Sequence, residues 1–226
     1  MSKSLATPTP APPALAGESN GDGVSKHASP GLKLLASEEN MVRAWPGGFG
    51  FAKVGANYGP SLVAQGEARA RGFDQVLWLF GEESYVTEAG ASNFFVVMRE
   101  KESGKLQLIT APLGERIILE GVTRASVLQL AQERLAVTDD GVEALEVVEK
   151  RFTMADLTEA HKDGRLVEAF AAGTAFFIAS IGLIHFRGQD IELTSGVYSK
   201  LVKQWLTNIM YGNEQHEWGA LVEEKA

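Results

Sequence analysis

Short apolar runs bounded by turn residues recur along this chain, and they restrict it to folds that contain a buried sheet. Residues 75–80, 93–98 and 106–109 each have the length and apolar content of a buried strand. Ser103 and Gly104 lie between the second and third runs and are typical of a hairpin turn. Less regular runs predict further strands at residues 144–148, 176–184 and 191–193.

Apolar residues also recur at helical spacing between these runs. Residues 60–71 begin with a proline and are followed by Gly72, a typical start and stop for a helix. A second helix is predicted at residues 122–135, and two more at 153–161 and 196–210. Because helices and strands alternate irregularly, the sequence predicts a mixed α/β (α+β) fold without fixing the order of the strands.

The first thirty residues differ in composition from the rest of the chain. Five of the eight prolines lie there, among alanine, serine, threonine and glycine. Such a segment buries too little apolar surface to fold, so residues 1–32 are predicted to be a disordered tail. The remaining residues, 33–226, are long enough for one domain with a substantial core.

Charge and composition weigh against several classes of function. The formal net charge is −8 and no basic run occurs, which argues against a nucleic-acid partner. No apolar stretch approaches the roughly 20 residues that cross a bilayer, so no membrane partner is expected. There are no cysteines, and His27, His161, His185 and His216 lack metal-ligand spacing, so no metal site is predicted. The absence of a secretory pattern favours a cytoplasmic location, with a mitochondrial one left open.

Lys53 stands in a glycine-rich segment, close to Gly50 and Gly55. A backbone of this kind lets a cofactor approach closely, which suits a lysine that forms a Schiff base. Val54 follows the lysine where a phosphate-binding P-loop has serine or threonine, so that motif is excluded. The alternative is an ordinary surface lysine beside a turn, which is the more common case for an isolated lysine.

Two further features could bind a cofactor. Glu88 lies between two predicted strands, where a carboxylate could face the nitrogen of a pyridine ring, or could simply be a solvated acid. Gly121, Val122 and Thr123 open a predicted helix, whose free N–H groups suit a phosphate. An ordinary helix cap is the alternative there. Thr174, before an apolar run, offers a weaker anion signal.

Taken together, these motifs resemble the C-terminal half of the eukaryotic branched-chain amino-acid aminotransferases, which belong to the fold-type IV pyridoxal-phosphate enzymes. The resemblance begins near Leu34 and runs almost to the end of the chain. The residues that carry it are the segments 42–48, 53–58, 76–79, 87–94, 121–124, 173–175 and 211–218. It implies the cofactor-binding domain of that fold and pyridoxal 5'-phosphate as the cofactor.

The resemblance also implies a role for individual residues. Lys53 would carry the cofactor as a Schiff base and would move the proton at the substrate Cα. Tyr58 would donate a hydrogen bond to the ring oxygen O3′, and Glu88 would pair with the ring nitrogen. These three roles match the chemistry that a protonated pyridine ring supports.

The same resemblance implies which residues bind the cofactor phosphate and the substrate. Val122, Thr123 and Thr174 would bind the cofactor phosphate, and the backbone amides of Ala91 and Ala175 would bind the substrate carboxylate. The implied reaction is transamination of leucine, isoleucine or valine with 2-oxoglutarate. A homodimer or another form of self-association is implied as well.

Two departures from the family keep a second hypothesis open. Family members carry an N-terminal domain ahead of the resembling region, where this sequence has the proline-rich tail. Glu120 stands where the family usually has proline, and its charge opposes a phosphate nearby. The alternative is therefore a truncated, non-catalytic remnant or interaction subunit that binds the cofactor without turnover.

Overall fold

The structure is a computed structural model that describes residues 31–138, 141–194, 196–220 and 222. The described residues form nine strands, four α-helices and one 3-10 helix at Gly55–Asn57. The strands are β1 Leu32–Ala36, β2 Gln75–Phe80, β3 Tyr85–Ala89, β4 Ser92–Arg99, β5 Leu106–Thr110, β6 Glu146–Glu149, β7 Leu166–Gly173, β8 Phe177–Phe186 and β9 Gln189–Glu192. The helices are α1 Ser61–Ala70, α2 Val122–Arg134, α3 Met154–Lys162 and α4 Val197–Met210.

All nine strands belong to one sheet, in the order β3-β2-β1-β8-β7-β4-β5-β6, with β9 paired to β8. Because β3 also pairs with β4, six of the strands close into a ring. β1 runs parallel to both of its neighbours, and β5 runs parallel to β6, whereas the other pairs are antiparallel. Closure at the β3–β4 hairpin places Glu88 directly opposite Asn93.

The mixed α/β fold class is confirmed, and the four predicted helices are found within one residue of their expected bounds. Pro60 precedes the first residue of α1, where a missing N–H costs nothing. Thr153 and Asp156 form a capping box at the start of α3: Asp156 N–H donates to the Thr153 hydroxyl at 3.2 Å, and Thr153 N–H donates to the Asp156 carboxylate at 2.7 Å. Local chemistry therefore fixes these helix ends.

Three strands, β1, β3 and β7, were not predicted. Each carries a charged residue in its run: Lys33 in β1, Glu88 in β3 and Glu168 in β7. Glu88 and Glu168 are nevertheless buried, so their strands do not show the continuous apolar pattern of a covered strand. The structure describes none of residues 1–30, which hold most of the predicted tail, and Leu32, the last residue of that predicted tail, already lies in β1.

The core lies on both sides of the sheet, and β4 contributes to both sides. Phe94 and Val96 belong to the apolar cluster that includes α3, whereas Phe95 and Val97 belong to the cluster that includes α2 and α4. This alternation is the two-residue period of a strand. Across the second cluster the Phe95 ring stacks on Phe170 with 5.0 Å between ring centroids. None of the helices that the described residues form is long and apolar enough to cross a membrane.

Phe170→Ala tests how far this stacked pair stabilises the fold. The ring is fully buried, and its removal leaves a cavity, so we expect the free energy of unfolding to fall by about 3–5 kcal/mol. Urea denaturation followed by circular dichroism measures the change. Val137→Ala is the control, because that side chain is 70% exposed and its loss should alter stability by less than about 0.5 kcal/mol. Equal stability of the two variants would contradict this account of the core.

Candidate active site

Glu88 is a buried acid in β3, one of the strands of the ring. It lies within β3, paired with Trp78 on β2 and Asn93 on β4, and only 3% of its surface is exposed. All five residues of β3 are buried. The carboxylate lines a cavity of about 160 Å³ that Tyr58 and Ala91 also line. The structure thus brings three of the predicted site residues to one cavity, and Glu88 is not a solvated acid.

Each oxygen of the Glu88 carboxylate has a partner. Oε1 accepts a hydrogen bond from the Leu119 backbone N–H at 2.8 Å, with Asn93 Nδ2 at 3.5 Å. Oε2 lies 2.9 Å from Nη2 of Arg43, whose side chain is buried as well. Since a carboxylate offers about four acceptor positions, these contacts leave acceptor capacity toward the cavity.

Burial has the largest effect on the ionisation of Glu88. It raises the pKa of Glu88 to about 7, although Arg43, the Leu119 N–H and the charge of Lys53 each lower it. The neutral form is favoured because a charge loses its hydration inside the protein. The result is an acid that changes its charge near neutral pH, at the wall of a cavity.

Lys53 lies beside the cavity on an exposed loop. Its Nζ atom is 3.5 Å from the Tyr58 hydroxyl oxygen and 5.8 Å from the centroid of the Tyr58 ring. The loop is held by Asn57, whose side-chain amide donates to the carbonyl oxygens of Phe49 and Ala52, both at 2.6 Å. Tyr58 follows the 3-10 helix and is 37% exposed. The loop therefore places an amine and a phenol side by side.

The predicted phosphate residues lie together at a second opening. Val122 and Thr123 form the first turn of α2, and Thr174 lies in the turn between β7 and β8. All three line an open groove of about 1360 Å³, whose other wall includes Tyr211 and Trp218 after α4. The N-cap of α2 makes no side-chain hydrogen bond, and the first N–H groups of a helix have no partner within it.

The first residues of β4 contact chain segments beside both openings. Asn93 Nδ2 donates to the Leu119 carbonyl at 2.9 Å, and a side chain at Gly121 would come within 2.2 Å of Asn93 Oδ1. A side chain at Gly173 would likewise come within 2.6 Å of the Ser92 hydroxyl. Glycine at these two positions lets the α2 start and the β7 end approach the β3–β4 hairpin.

Two of the other predicted residues lie at turns near the same hairpin. Ala91 is exposed in the hairpin turn itself, beside Gly90, whose φ of +57° favours glycine. Ala175 is exposed in the β7–β8 turn, next to Thr174. The backbone amides assigned to the substrate carboxylate are therefore on turns that Ser92 and Gly173 bring close to each other.

Arg43, Asn93 and the Leu119 N–H were missed as site groups in the sequence. Arg43 and Asn93 both fall inside segments that carry the family resemblance, which was the available signal. Their partners are far away along the chain, so periodicity could not reveal them. Leu119 contributes only its backbone N–H. Almost every residue type has this group, so the sequence gives no sign of its role.

The raised pKa of Glu88 predicts a pH-dependent contribution to stability. Between pH 4.5 and about 7 the folded protein binds this proton more tightly than the unfolded chain. The free energy of unfolding should therefore fall as pH rises through that window, by about 3 kcal/mol from this group. Urea denaturation at several pH values measures the slope.

Glu88→Gln removes the titrating group and should remove this part of the slope. The exposed acid Glu82 provides the control, and Glu82→Gln should keep the wild-type slope. If wild type and Glu88→Gln showed parallel curves across the window, Glu88 would not titrate as described.

Comparison with known proteins places this arrangement in a family. The family model described as "Amino-transferase class IV" matches residues 27–184. The cytosolic branched-chain-amino-acid aminotransferase of Saccharomyces cerevisiae is 41% identical over 195 residues, which are 83% of this chain and 50% of that protein. The mitochondrial branched-chain-amino-acid aminotransferase of Schizosaccharomyces pombe is 41% identical over 189 residues, 81% of this chain and 42% of that protein.

A solved structure agrees with these matches. The branched-chain amino acid aminotransferase from Thermobaculum terrenum in its PLP-form (holo-form) superposes with a TM-score of 0.63 at 29% identity, covering 81% of this chain and 52% of that one. The chain spans about half the length of the relatives it matches. Since the family model covers more than half of this sequence, the chain belongs to the class IV aminotransferases.

Proposed function

We propose that this chain is a pyridoxal-phosphate-dependent transaminase that acts on leucine, isoleucine and valine with 2-oxoglutarate. The observation that carries the proposal is the buried Glu88 carboxylate at a cavity that Tyr58 and Ala91 also line, close enough to Lys53 for its charge to lower the Glu88 pKa. The branched-chain relatives and the PLP-form structure support the substrate and cofactor classes.

The side chains at this cavity have the charged and hydrogen-bonding groups that pyridoxal phosphate requires. A buried acid with a pKa of about 7 suits a pyridine nitrogen, and the phenol of Tyr58 suits a ring oxygen. When bound, pyridoxal phosphate supplies an aldehyde that joins to amines and a ring that takes up the electrons left at the substrate Cα. Glu88 would keep the ring nitrogen protonated, because a carboxylate favours a positive charge beside it.

Lys53 is the proposed catalytic residue. It would hold the cofactor through its amine and would remove and return a proton at the substrate Cα as a general acid–base. The exposed position of its loop gives a substrate access to the amine. Tyr58, 3.5 Å away, would orient the amine and the ring oxygen relative to each other.

Val122, Thr123 and Thr174 are the proposed phosphate-binding residues. The unpartnered N–H groups at the start of α2 and its dipole favour an anion, and the two hydroxyls add donors. Glu120 is exposed directly before this turn, and its negative charge opposes anion binding there. The substrate carboxylate would bind the backbone amides of Ala91 and Ala175.

The small-molecule partners in this proposal are an amino acid and a 2-oxo acid. A cytoplasmic location is the one we propose, and the matching relatives include both cytosolic and mitochondrial proteins. Self-association, as a homodimer or a larger species, completes the proposal. No nucleic-acid or membrane partner forms part of it.

A second candidate function is cofactor binding without turnover. It is favoured by one observation, that the chain spans about half the length of the relatives it matches. In this case Lys53 and Glu88 would still hold the cofactor, but the walls that select the amino acid would be supplied from outside this sequence. Activity and cofactor attachment measured on the same sample distinguish the two candidates.

Purified protein incubated with pyridoxal phosphate, leucine and 2-oxoglutarate should form glutamate, and Lys53→Ala should reduce the rate to background, because the acid–base group is lost. Borohydride reduction followed by peptide mass spectrometry should locate the cofactor on Lys53. Attachment at Lys53 without glutamate would select the binding function. No attachment at Lys53 with saturating cofactor would contradict both candidates.

Self-association is expected from the apolar surface around the lysine loop. Trp45, Phe49, Leu62 and Val63 are each more than half exposed, and such a concentration marks an interaction surface. Sedimentation velocity should show dimers or larger species, and Val63→Glu should shift the protein toward monomer. Val137→Glu is the matched control on another surface, at a similar exposure of 70%. A monomeric wild-type protein would refute this expectation.

A further inference from the structure

Arg43 is a buried arginine that joins three separate parts of the chain. Its Nη2 atom lies 2.9 Å from Glu88 Oε2 and donates to the carbonyl oxygens of Ile117 at 2.6 Å and Gly50 at 3.5 Å. The side chain is 9% exposed, and its Nε is buried without a hydrogen-bond partner among the described residues. Because this cation is buried, its lost hydration must be compensated by these protein neighbours.

Each of the three contacts leads to a different part of the proposed site. Glu88 is the buried acid at the cavity. Ile117 is two residues before Leu119, whose N–H binds the same carboxylate, and four before the N-cap of α2. Gly50 is three residues before Lys53 and packs so closely that a side chain there would come within 2.8 Å of the Ile117 carbonyl oxygen. One guanidinium therefore connects the acid, the lysine loop and the segment before the phosphate turn.

We propose that Arg43 is a positioning residue for the reaction: it holds Glu88 as a carboxylate facing the cavity and fixes the lysine loop against the segment before α2. Its importance to catalysis rests on the proposed function, whereas its effect on Glu88 does not. Arg43 is also one of the residues that line the cavity, and the role proposed here is exerted through Glu88. All three contacts are made by Nη2, which carries two N–H bonds, so the acceptors share two donors.

The charges around Glu88 support this role. Burial favours the neutral carboxyl, and Arg43 is the strongest of the groups that oppose burial, ahead of the Leu119 N–H and the Lys53 charge. The paired residues Trp78 and Asn93 are uncharged. Without Arg43 the acid would remain protonated at neutral pH, and a neutral carboxyl cannot offset the positive charge of a protonated ring nitrogen.

Arg43→Gln and Arg43→Lys separate the charge of the residue from its shape. The pKa of Glu88 is measured by ¹³C NMR of labelled glutamate in the full chain without added cofactor, with the signal assigned through Glu88→Gln. Arg43→Gln should raise this pKa by at least about one unit, since an adjacent opposite charge lowers a carboxyl pKa by about 1–3 units. Arg43→Lys, which keeps a cation, should raise it less.

Arg124→Gln is the control for loss of a buried arginine, since Arg124 is also buried but pairs with Glu149 instead. It should leave the Glu88 pKa unchanged. The proposal is overturned if Arg43→Gln leaves that pKa where it is in the wild type, or if Arg43→Gln and Arg43→Lys raise it equally.

A second measurement applies even if Arg43→Gln alone fails to fold. Removing Glu88 alone leaves the Arg43 cation buried and uncompensated, because a guanidinium stays charged, whereas removing both partners does not. The double variant Arg43→Gln with Glu88→Gln should therefore unfold at a higher temperature than Glu88→Gln alone, and a midpoint no higher would refute the pairing. These measurements need no turnover, so a failed transaminase assay would leave the Arg43 result standing, and the converse also holds.

Discussion

The ion pair between the buried Glu88 of β3 and Arg43 is the interaction on which the proposed site depends. A buried carboxylate without partners would destabilise the fold, and here a guanidinium and a backbone N–H compensate for much of the lost hydration. The compensation is incomplete, and burial therefore still raises the pKa of Glu88 to about 7. An acid in this state can give up its proton beside a positive group, which is what the role proposed for Glu88 requires.

The sheet supplies the rigid frame for this pair. β4 is packed on both faces, and its first two residues contact the glycines that begin α2 and end β7. Apart from Glu88, which is in β3, the proposed site residues are on the parts that project from this frame: a hairpin turn, a helix start and a loop held by Asn57. Precise placement on short projecting segments is possible because the strands beneath them cannot shift independently.

Much of this arrangement could be predicted from the sequence, and the missing part has a physical reason. The helices were found because proline, a capping box and apolar spacing act over a few residues. β3 and β7 were missed because Glu88 and Glu168 are buried by contacts with distant residues. Among the candidate site residues, Lys53, Glu88 and Thr123 could be singled out because each lies in a motif. The pairing of Arg43 with Glu88 could not, since the two residues lie far apart along the chain and only the tertiary fold brings them together.

The parallel strand β1 has a consequence for how the protein is made. It lies between β2 and β8, and Leu32 pairs with Ile181, so the ring needs a segment translated long after its first strand. A nascent chain leaving the ribosome must therefore keep one edge of β1 unpaired until β8 emerges. Pairings between such distant segments form slowly, and until β8 is made the open edge of β1 is available to wrong partners.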